Sequence, residues 1–183
     1  MGMPLGKIIV AVNSNDILDR FFKNNDYSKK TVSETISPSM DISVASNFER
    51  LMYDFYLNRD SEACLNLYNN FPEHGITIND EMWQKSAELF MSYSINDAST
   101  FESMKFYNND YGYVMDPHTA VAAKAVSSLK DKLKNKTIIL STAHPAKFPN
   151  ALKKAGINSD NIPANLAEVI SKKEVAIKLS ASE

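Results

Sequence analysis

This sequence predicts an α/β domain: a partial open parallel sheet with helices on its faces and a helical insertion in the middle. Three observations carry that prediction. Ile8-Ile9-Val10-Ala11-Val12 is a short apolar run that stops at Asn13-Ser14-Asn15-Asp16 and passes into the helical pattern of Ile17 to Phe22, so strand, polar loop and helix follow one another. Thr137-Ile138-Ile139-Leu140 repeats the buried-strand pattern and turns polar at Ser141-Thr142-Ala143-His144. Between them, from Arg59 to Tyr111, the chain is rich in Met and aromatics at helical spacing, with no polar constellation expected. The boundaries drawn on that basis are 1–58 and 112–183 for the α/β parts and 59–111 for the helical insertion.

The first strand suits a buried parallel position because it is almost wholly aliphatic. The loop after it carries turn and cap residues, with Asn15 or Asp16 expected to cap the next helix. Lys23 to Ala45 loses all period, and Ser37-Pro38-Ser39 within it is loop chemistry. A loop this long in a small domain is usually functional, and Met40, Ile42 and Val44 mark it as packed. Ser46 and Glu49 have capping-box spacing ahead of an apolar face of Phe48, Leu51, Met52, Phe55 and Tyr56. Arg50 lies off that stripe, as a surface residue or an anion ligand.

Ser61 to Phe71 reads as a helix ended by the turn Pro72-Glu73-His74-Gly75, with His74 exposed. Ile76-Thr77-Ile78 is a short strand or an extended link. Asn79 or Asp80 opens a helix whose face runs Trp83, Ala87, Phe90, Met91. Ser99 and Glu102 form a second capping-box pattern, with that helix ending near Asn108-Asn109-Asp110. Asp116-Pro117 opens the clearest helix of all, with Asp116 as N-cap and proline at the first helical position. Val121, Ala125, Leu129 and Leu133 line its face, and its alanines allow close approach to a sheet. His118 reads either as part of the cap or as a ligand contact. Pro149 opens a further helix closed by Gly156, Pro163 opens another, and Val175 to Leu179 alternates as a final strand.

Composition narrows the function classes. The 183 residues carry a net charge of −2, and the lysines near Lys130 and Lys172 are interleaved with acids or apolar residues, so no basic stripe favours nucleic acid. The apolar fraction of 44% and charged fraction of 23% are those of a soluble globular protein. No apolar stretch is long enough to span a bilayer, so no membrane partner is expected. Cys64 is the single cysteine; it has no disulfide partner and no metal-ligand spacing, and it fits a packing role in a reducing, cytoplasmic compartment. No metal site is expected.

Ligands in open α/β sheets sit at the carboxyl ends of strands. That places Ser141, Thr142, His144 and Lys147 after the Thr137 run first among candidates, and Asn13 to Asp16 after the Ile8 run second. On the residues alone, each set is equally a strand end entering a turn, with Lys147 solvated.

Four stretches in order extend this reading: Val12 to Phe21; Thr35-Ile36-Ser37-Pro38-Ser39-Met40-Asp41-Ile42 with Ser46 to Arg50; Gly112-Tyr113-Val114-Met115-Asp116-Pro117-His118-Thr119-Ala120-Val121; and Ser141 to Phe148. Together they resemble the carboxyl-terminal half of the threonine synthase family, pyridoxal-phosphate enzymes of tryptophan-synthase-β-like fold. The resemblance covers nearly the whole chain. It implies conversion of O-phosphohomoserine and water to threonine and phosphate, with 1–58 and 112–183 as parts of the cofactor domain. It implies that Thr142, with Ser141 beside it, is cofactor-binding, the hydroxyl of Thr142 meeting the pyridine nitrogen. A neutral hydroxyl there leaves the ring nitrogen unprotonated and limits the electron sink, which suits elimination and replacement over transamination. Asn13, Asp16, Asp41, His144 and Lys147 fall in family-like motifs and are the candidate substrate-binding residues; Lys147 would meet a substrate phosphate as a point charge.

The sequence departs from the family in what it lacks. The Schiff-base lysine in a Phe-Lys-Asp stretch, the Ser-Gly-Asp-Thr-Gly loop and the Gly-Asn-Phe-Gly phosphate cradle do not occur in it, and neither Lys7 nor Lys147 stands in a motif that replaces the lysine. No catalytic residue is therefore expected in this chain. The expectation is a piece of a longer enzyme, inactive without its amino-terminal half. Two alternatives stand beside it. One is a truncated, non-catalytic module that folds and self-associates without cofactor. The other is a doubly wound binding domain with its own site at Asn13–Asp16 and Ser141–His144.

Overall fold

The Ile8–Val12 run forms the first strand, β1, and its partner is Phe90–Ser94, β2. The two pair in parallel, with Ile8 opposite Phe90 and Val12 opposite Ser94. A computed structural model describes residues 5–133, 136–158 and 163–178. Among them the sheet has these two strands. The α/β class and the parallel, partial sheet are as the sequence predicts.

The second strand departs from expectation. Phe90 and Met91 lie in β2 rather than on the face of the preceding helix, α4 (Asp80–Ser86). Lys7 fixes that end of α4, its Nζ donating to the Ala87 and Glu88 carbonyls at 2.6 Å each, as a cation does at a helix carboxyl terminus. The helix stops there, and Phe-Met-Ser-Tyr-Ser, rich in aromatics, takes the pleated conformation beside β1. The Thr137–Leu140 run forms no strand among the described residues. Ile138 and Leu140 are 87% and 76% exposed. Residues 175–178 likewise form no strand, and Leu179 lies outside the described residues. In each case the pattern is present and, among the described residues, a neighbouring strand to satisfy its backbone is not.

Helix α1 (Ile17–Asn24) follows β1 and ends with Asn25 in the left-handed conformation (φ 55°). Its inner side meets an aromatic cluster from the long loop and the short helix α2 (Phe48–Leu51), whose chain continues as a π turn over Met52–Tyr56. Phe21 and Tyr27 are fully buried, Tyr27 stacks on Phe48 at 4.5 Å, and Phe21 meets Phe48 edge-on at 4.7 Å. Such pairs contribute beyond the area they bury. The Ser46–Glu49 capping box does not form: Asn47 holds the cap position and makes no side-chain cap bond. Helix α3 (Ser61–His74) is capped by Asp60 and runs through Pro72 to Gly75, so the expected turn at Pro72 is the helix's last turn. Cys64 is buried in it. Ile76 makes an isolated antiparallel bridge to Tyr27.

Helix α5 (Asp97–Tyr111) is capped by Asn96, which accepts the Ser99 N–H, and not by Ser99 itself. Helix α6 (Pro117–Leu129) begins as predicted, with the Asp116 carboxylate accepting the His118 and Thr119 N–H groups. Val121 and Ala125 are fully buried and pack with Ile95 against Ile9, Ala11 and Tyr93, which seats α6 on the sheet. Met104, Ala120, Ala123, Leu152 and Ile157 bury a second core between α5, α6 and the following helix α7 (Pro149–Lys154). Gly156 ends α7 at φ 69°, and α8 (Ala164–Ile170) follows Pro163.

Candidate active site

Asn13 stands at the carboxyl end of β1 and is 1% exposed. Its Nδ2 donates to Asp41 Oδ1 at 2.7 Å, Thr35 Oγ1 at 2.8 Å and Ser37 Oγ at 3.0 Å. Its Oδ1 accepts the Asn15 N–H at 2.9 Å, the local bond typical of an Asx turn. Asn15 repeats the pattern one step on: its Nδ2 donates to Asp41 Oδ1 and the Ser33 carbonyl, and its Oδ1 accepts the Ser33 N–H. Asp41 thus collects Asn13, Asn15 and Thr35, and its second oxygen accepts the Thr35 N–H at 2.9 Å. The long loop is folded back on the strand end by this node. Its carboxylate is held by neutral donors, each bond strengthened by the charge.

Asp16 turns away from the node. It makes no cap bond to α1, which corrects the capping role expected of it. Its Oδ1 pairs with Arg20 Nε at 2.9 Å and Lys30 Nζ at 3.4 Å. Arg20 also holds Asp26 and the Ser28 carbonyl. Burial pushes the Asp16 and Asp26 carboxyls up, but their hydrogen bonds and the Arg20 charge outweigh it and hold both below the ordinary carboxylate value. A polar cleft of about 150 Å³ lies against Asp16, Arg20, Lys30 and Ser33.

The second group surrounds the start of α6. Asp116 is buried with both oxygens engaged. Oδ1 takes the His118 N–H and sits 2.9 Å from His118 Nδ1, and Oδ2 takes the Thr119 hydroxyl. Burial raises the Asp116 pKa, and these donors more than reverse it, leaving it below the ordinary value. Thr119 Oγ1 in turn accepts the Thr142 N–H at 3.4 Å. Ser141 and Thr142 are themselves exposed, and the hydrogen bond of Thr142 uses its backbone, which leaves its hydroxyl available. His144 is half-buried, and its Nδ1 accepts the Ala146 N–H at 3.2 Å, capping the turn at Pro145–Lys147. Lys147 is exposed.

Of the predicted residues, the structure brings Asn13 and Asp41 into contact, sets Asp16 beside them facing another way, and holds Ser141, Thr142, His144 and Lys147 on a separate segment. Asn15, Thr35 and Ser37 complete the node. Asn15 lies within the Asn13–Asp16 set named from the sequence, whereas Thr35 and Ser37 stand only in the family-like Thr35–Ile42 stretch, with no role assigned to them. Among the described residues no group of His, Cys, Asp or Glu is placed to hold a metal ion, and no helix is long and apolar enough to cross a membrane.

Comparison with known proteins places the chain in a family. The family model described as "Threonine synthase, C-terminal" matches residues 119–183. The chain is 40% identical over 176 residues to a threonine synthase of Pseudomonas aeruginosa, covering 95% of this chain and 37% of that protein. It is 37% identical to the Saccharomyces cerevisiae threonine synthase over 85% of its own length and 34% of the other. A PLP-bound threonine synthase from Brucella melitensis superposes with a TM-score of 0.84 at 34% identity, covering 95% of this chain and 37% of that one. The yeast threonine synthase gives 0.83, again at 34% identity, over 95% of this chain and 39% of that one. The chain spans about a third of the length of the relatives it matches. With sequence and fold in agreement over nearly its whole length, the chain belongs to the threonine synthase family and corresponds to its carboxyl-terminal part.

Proposed function

We propose that this chain supplies the carboxyl-terminal share of a threonine synthase active site, for the conversion of O-phospho-L-homoserine and water to L-threonine and phosphate in threonine biosynthesis. The observation that supports it is the 0.84 TM-score over 95% of the chain to a PLP-bound enzyme of that name. Pyridoxal phosphate, when bound, supplies the electron sink for carbanion chemistry.

The residues here fit part of that cofactor. Thr142 presents an exposed hydroxyl free of the hydrogen bond its backbone makes, as a partner for the pyridine nitrogen must, with Ser141 beside it. The sequence has no glycine-rich phosphate loop and no lysine in the required motif, so we assign the phosphate cradle and the covalent lysine to the amino-terminal part of the enzyme. Alone, this chain is inactive and binds no cofactor. Asn13 and Asp41 hold the strand end in shape; Asp16, His144 and Lys147 are the substrate-facing candidates, with Lys147 as cation for the phosphate. A cytoplasmic location belongs to the same proposal.

Mixing the chain with a polypeptide carrying the missing half, pyridoxal phosphate and O-phosphohomoserine tests this. Threonine and phosphate that require both chains are expected. No product from a mixture in which both chains are folded would overturn it. A second reading, a non-catalytic module that self-associates, is favoured by one observation: Ile138, Leu140, Val175 and Ile177 are all more than three-quarters exposed, and apolar surface of that kind promotes association. Stable oligomers without cofactor, together with failed reconstitution, would favour it.

A further inference from the structure

The polar node at Asn13 and the Thr142 segment are remote in sequence, and one buried cluster bonds both to the Thr142 segment and to the loop that carries Ser37 and Asp41. His118 is 5% exposed and Thr119 4%. His118 Nε2 accepts the Ser39 N–H at 3.1 Å, which ties the cluster to the loop between Ser37 and Asp41. The His118 ring also packs on Phe148 at 4.9 Å. Thr119 Oγ1 takes the Thr142 N–H and gives its own proton to Asp116.

We infer that Asp116, His118 and Thr119 are positioning residues that lock the Thr142 segment to the Ser37–Asp41 loop, so that the hydroxyl of Thr142 and the Asn13 node are held at one fixed separation. The proton bookkeeping has a single solution. A backbone N–H only donates, so Nε2 must be bare and the ring proton sits on Nδ1, donated to Asp116. Asp116 therefore sets the tautomer that lets His118 receive Ser39. Likewise, the Thr119 hydroxyl must point its hydrogen at Asp116 to leave a lone pair for Thr142. One carboxylate orients both receivers. The importance of the lock for the cofactor rests on the role proposed for Thr142; the lock itself does not.

Nuclear magnetic resonance of the ¹⁵N-labelled full chain tests the lock directly. The His118 ring is expected as the Nδ1–H tautomer. Thr119→Val should move the Thr142 amide proton upfield and leave Ser39 in place, with Thr119→Ser restoring it. His118→Gln, whose carboxamide oxygen reaches the place of Nε2, should keep the Ser39 amide shift, and His118→Asn, which is too short, should lose it. An Nε2–H tautomer, or a Thr142 amide indifferent to Thr119→Val, would overturn the lock. In the reconstituted enzyme, Thr119→Val should shift the cofactor absorption band and lower activity roughly 2- to 13-fold, the loss of one hydrogen bond's worth of placement, and Thr119→Ser should restore both. A wild-type spectrum and rate in Thr119→Val would overturn the positioning role. Failure of the unmutated mixture to make product would remove the functional reading and the cofactor role together, while the amide shifts still decide the lock.

Discussion

Asp41→Ala is the sharpest perturbation the polar node offers. The carboxylate accepts four hydrogen bonds, from Asn13, Asn15 and the side chain and backbone of Thr35. Bonds to a charged group are worth roughly 1.5–3 kcal/mol each, but the sum overstates the loss. Asn13 keeps Thr35 and Ser37 as partners, Asn15 keeps the Ser33 carbonyl, and half-buried Thr35 can turn to water. A cost of about 2–3 kcal/mol remains, chiefly from loosening donors at a site where Asn13 is buried. Asp41→Asn separates charge from shape. Its oxygen can replace Oδ1, while its amide would face the Thr35 N–H donor to donor, so about half the cost is expected. With a urea dependence near 2 kcal/mol per molar, the alanine variant should unfold about 1–1.5 M earlier than the parent. Equilibrium unfolding in urea, followed by the Trp83 fluorescence beside α1, reads this. An alanine variant within about 0.5 kcal/mol of the parent would refute the view that Asp41 organises the loop.

Three further outcomes follow from the same structure. The Asp16 and Asp26 carboxyls have folded-state pKa values below their ordinary ones; their contribution is therefore complete above the ordinary carboxylate range near pH ~4 and is lost as pH falls through the lower folded values. Acid titration of stability in the parent and in Arg20→Met checks it, the variant being expected to lose this part of its acid sensitivity. Gly75→Ala should cost about 1–3 kcal/mol, because φ 68° with ψ −172° is a glycine-only conformation and the new Cβ would lie 3.1 Å from Ser28 Cβ; Gly112→Ala, left-handed at φ 64° but in open space, should cost about 1 kcal/mol. Thermal unfolding of the pair shows whether Gly75 is the costlier. Thr142→Ala should leave the chain's stability within about 0.5 kcal/mol, since the side chain is exposed, yet weaken cofactor function in the reconstituted enzyme; unchanged activity with an unchanged cofactor spectrum would remove Thr142 from the site.

Where the sequence was informative, the signal was local and chemical. Asp116-Pro117 fixes the start of α6 through bonds within three residues, and the apolar run of β1 ends where its polar loop begins. Where it misled, the deciding partner lay far along the chain. Phe90 and Met91 have spacing that fits a helix, and only β1 makes them a strand. Thr137–Leu140 has the composition of a strand and lacks a neighbour to become one among the described residues. The capping boxes at Ser46 and Ser99 failed because the helices start one residue later at Asn47, which makes no side-chain cap bond, and three residues earlier at Asn96, which caps in place of Ser99. The same rule covers the site. Asn13 and Asp41 could be flagged as polar residues in suggestive loops, but their contact, and the part of Thr35 in it, depends on how the long loop returns to the strand end.

The parallel pairing of β1 with β2 also sets a clock. Ile8 meets Phe90 across about 80 residues of intervening chain, a closure whose entropy amounts to roughly 4 kcal/mol. A ribosome adding about 5–20 residues per second needs some 4–16 s to make that stretch. Throughout that interval the Ile-Ile-Val-Ala-Val segment has been made and its partner has not. An uncharged β-prone run in that condition is open to pairing with other chains, so the newborn protein's yield should depend on how fast helix α1, which packs beside β1, forms and shields it.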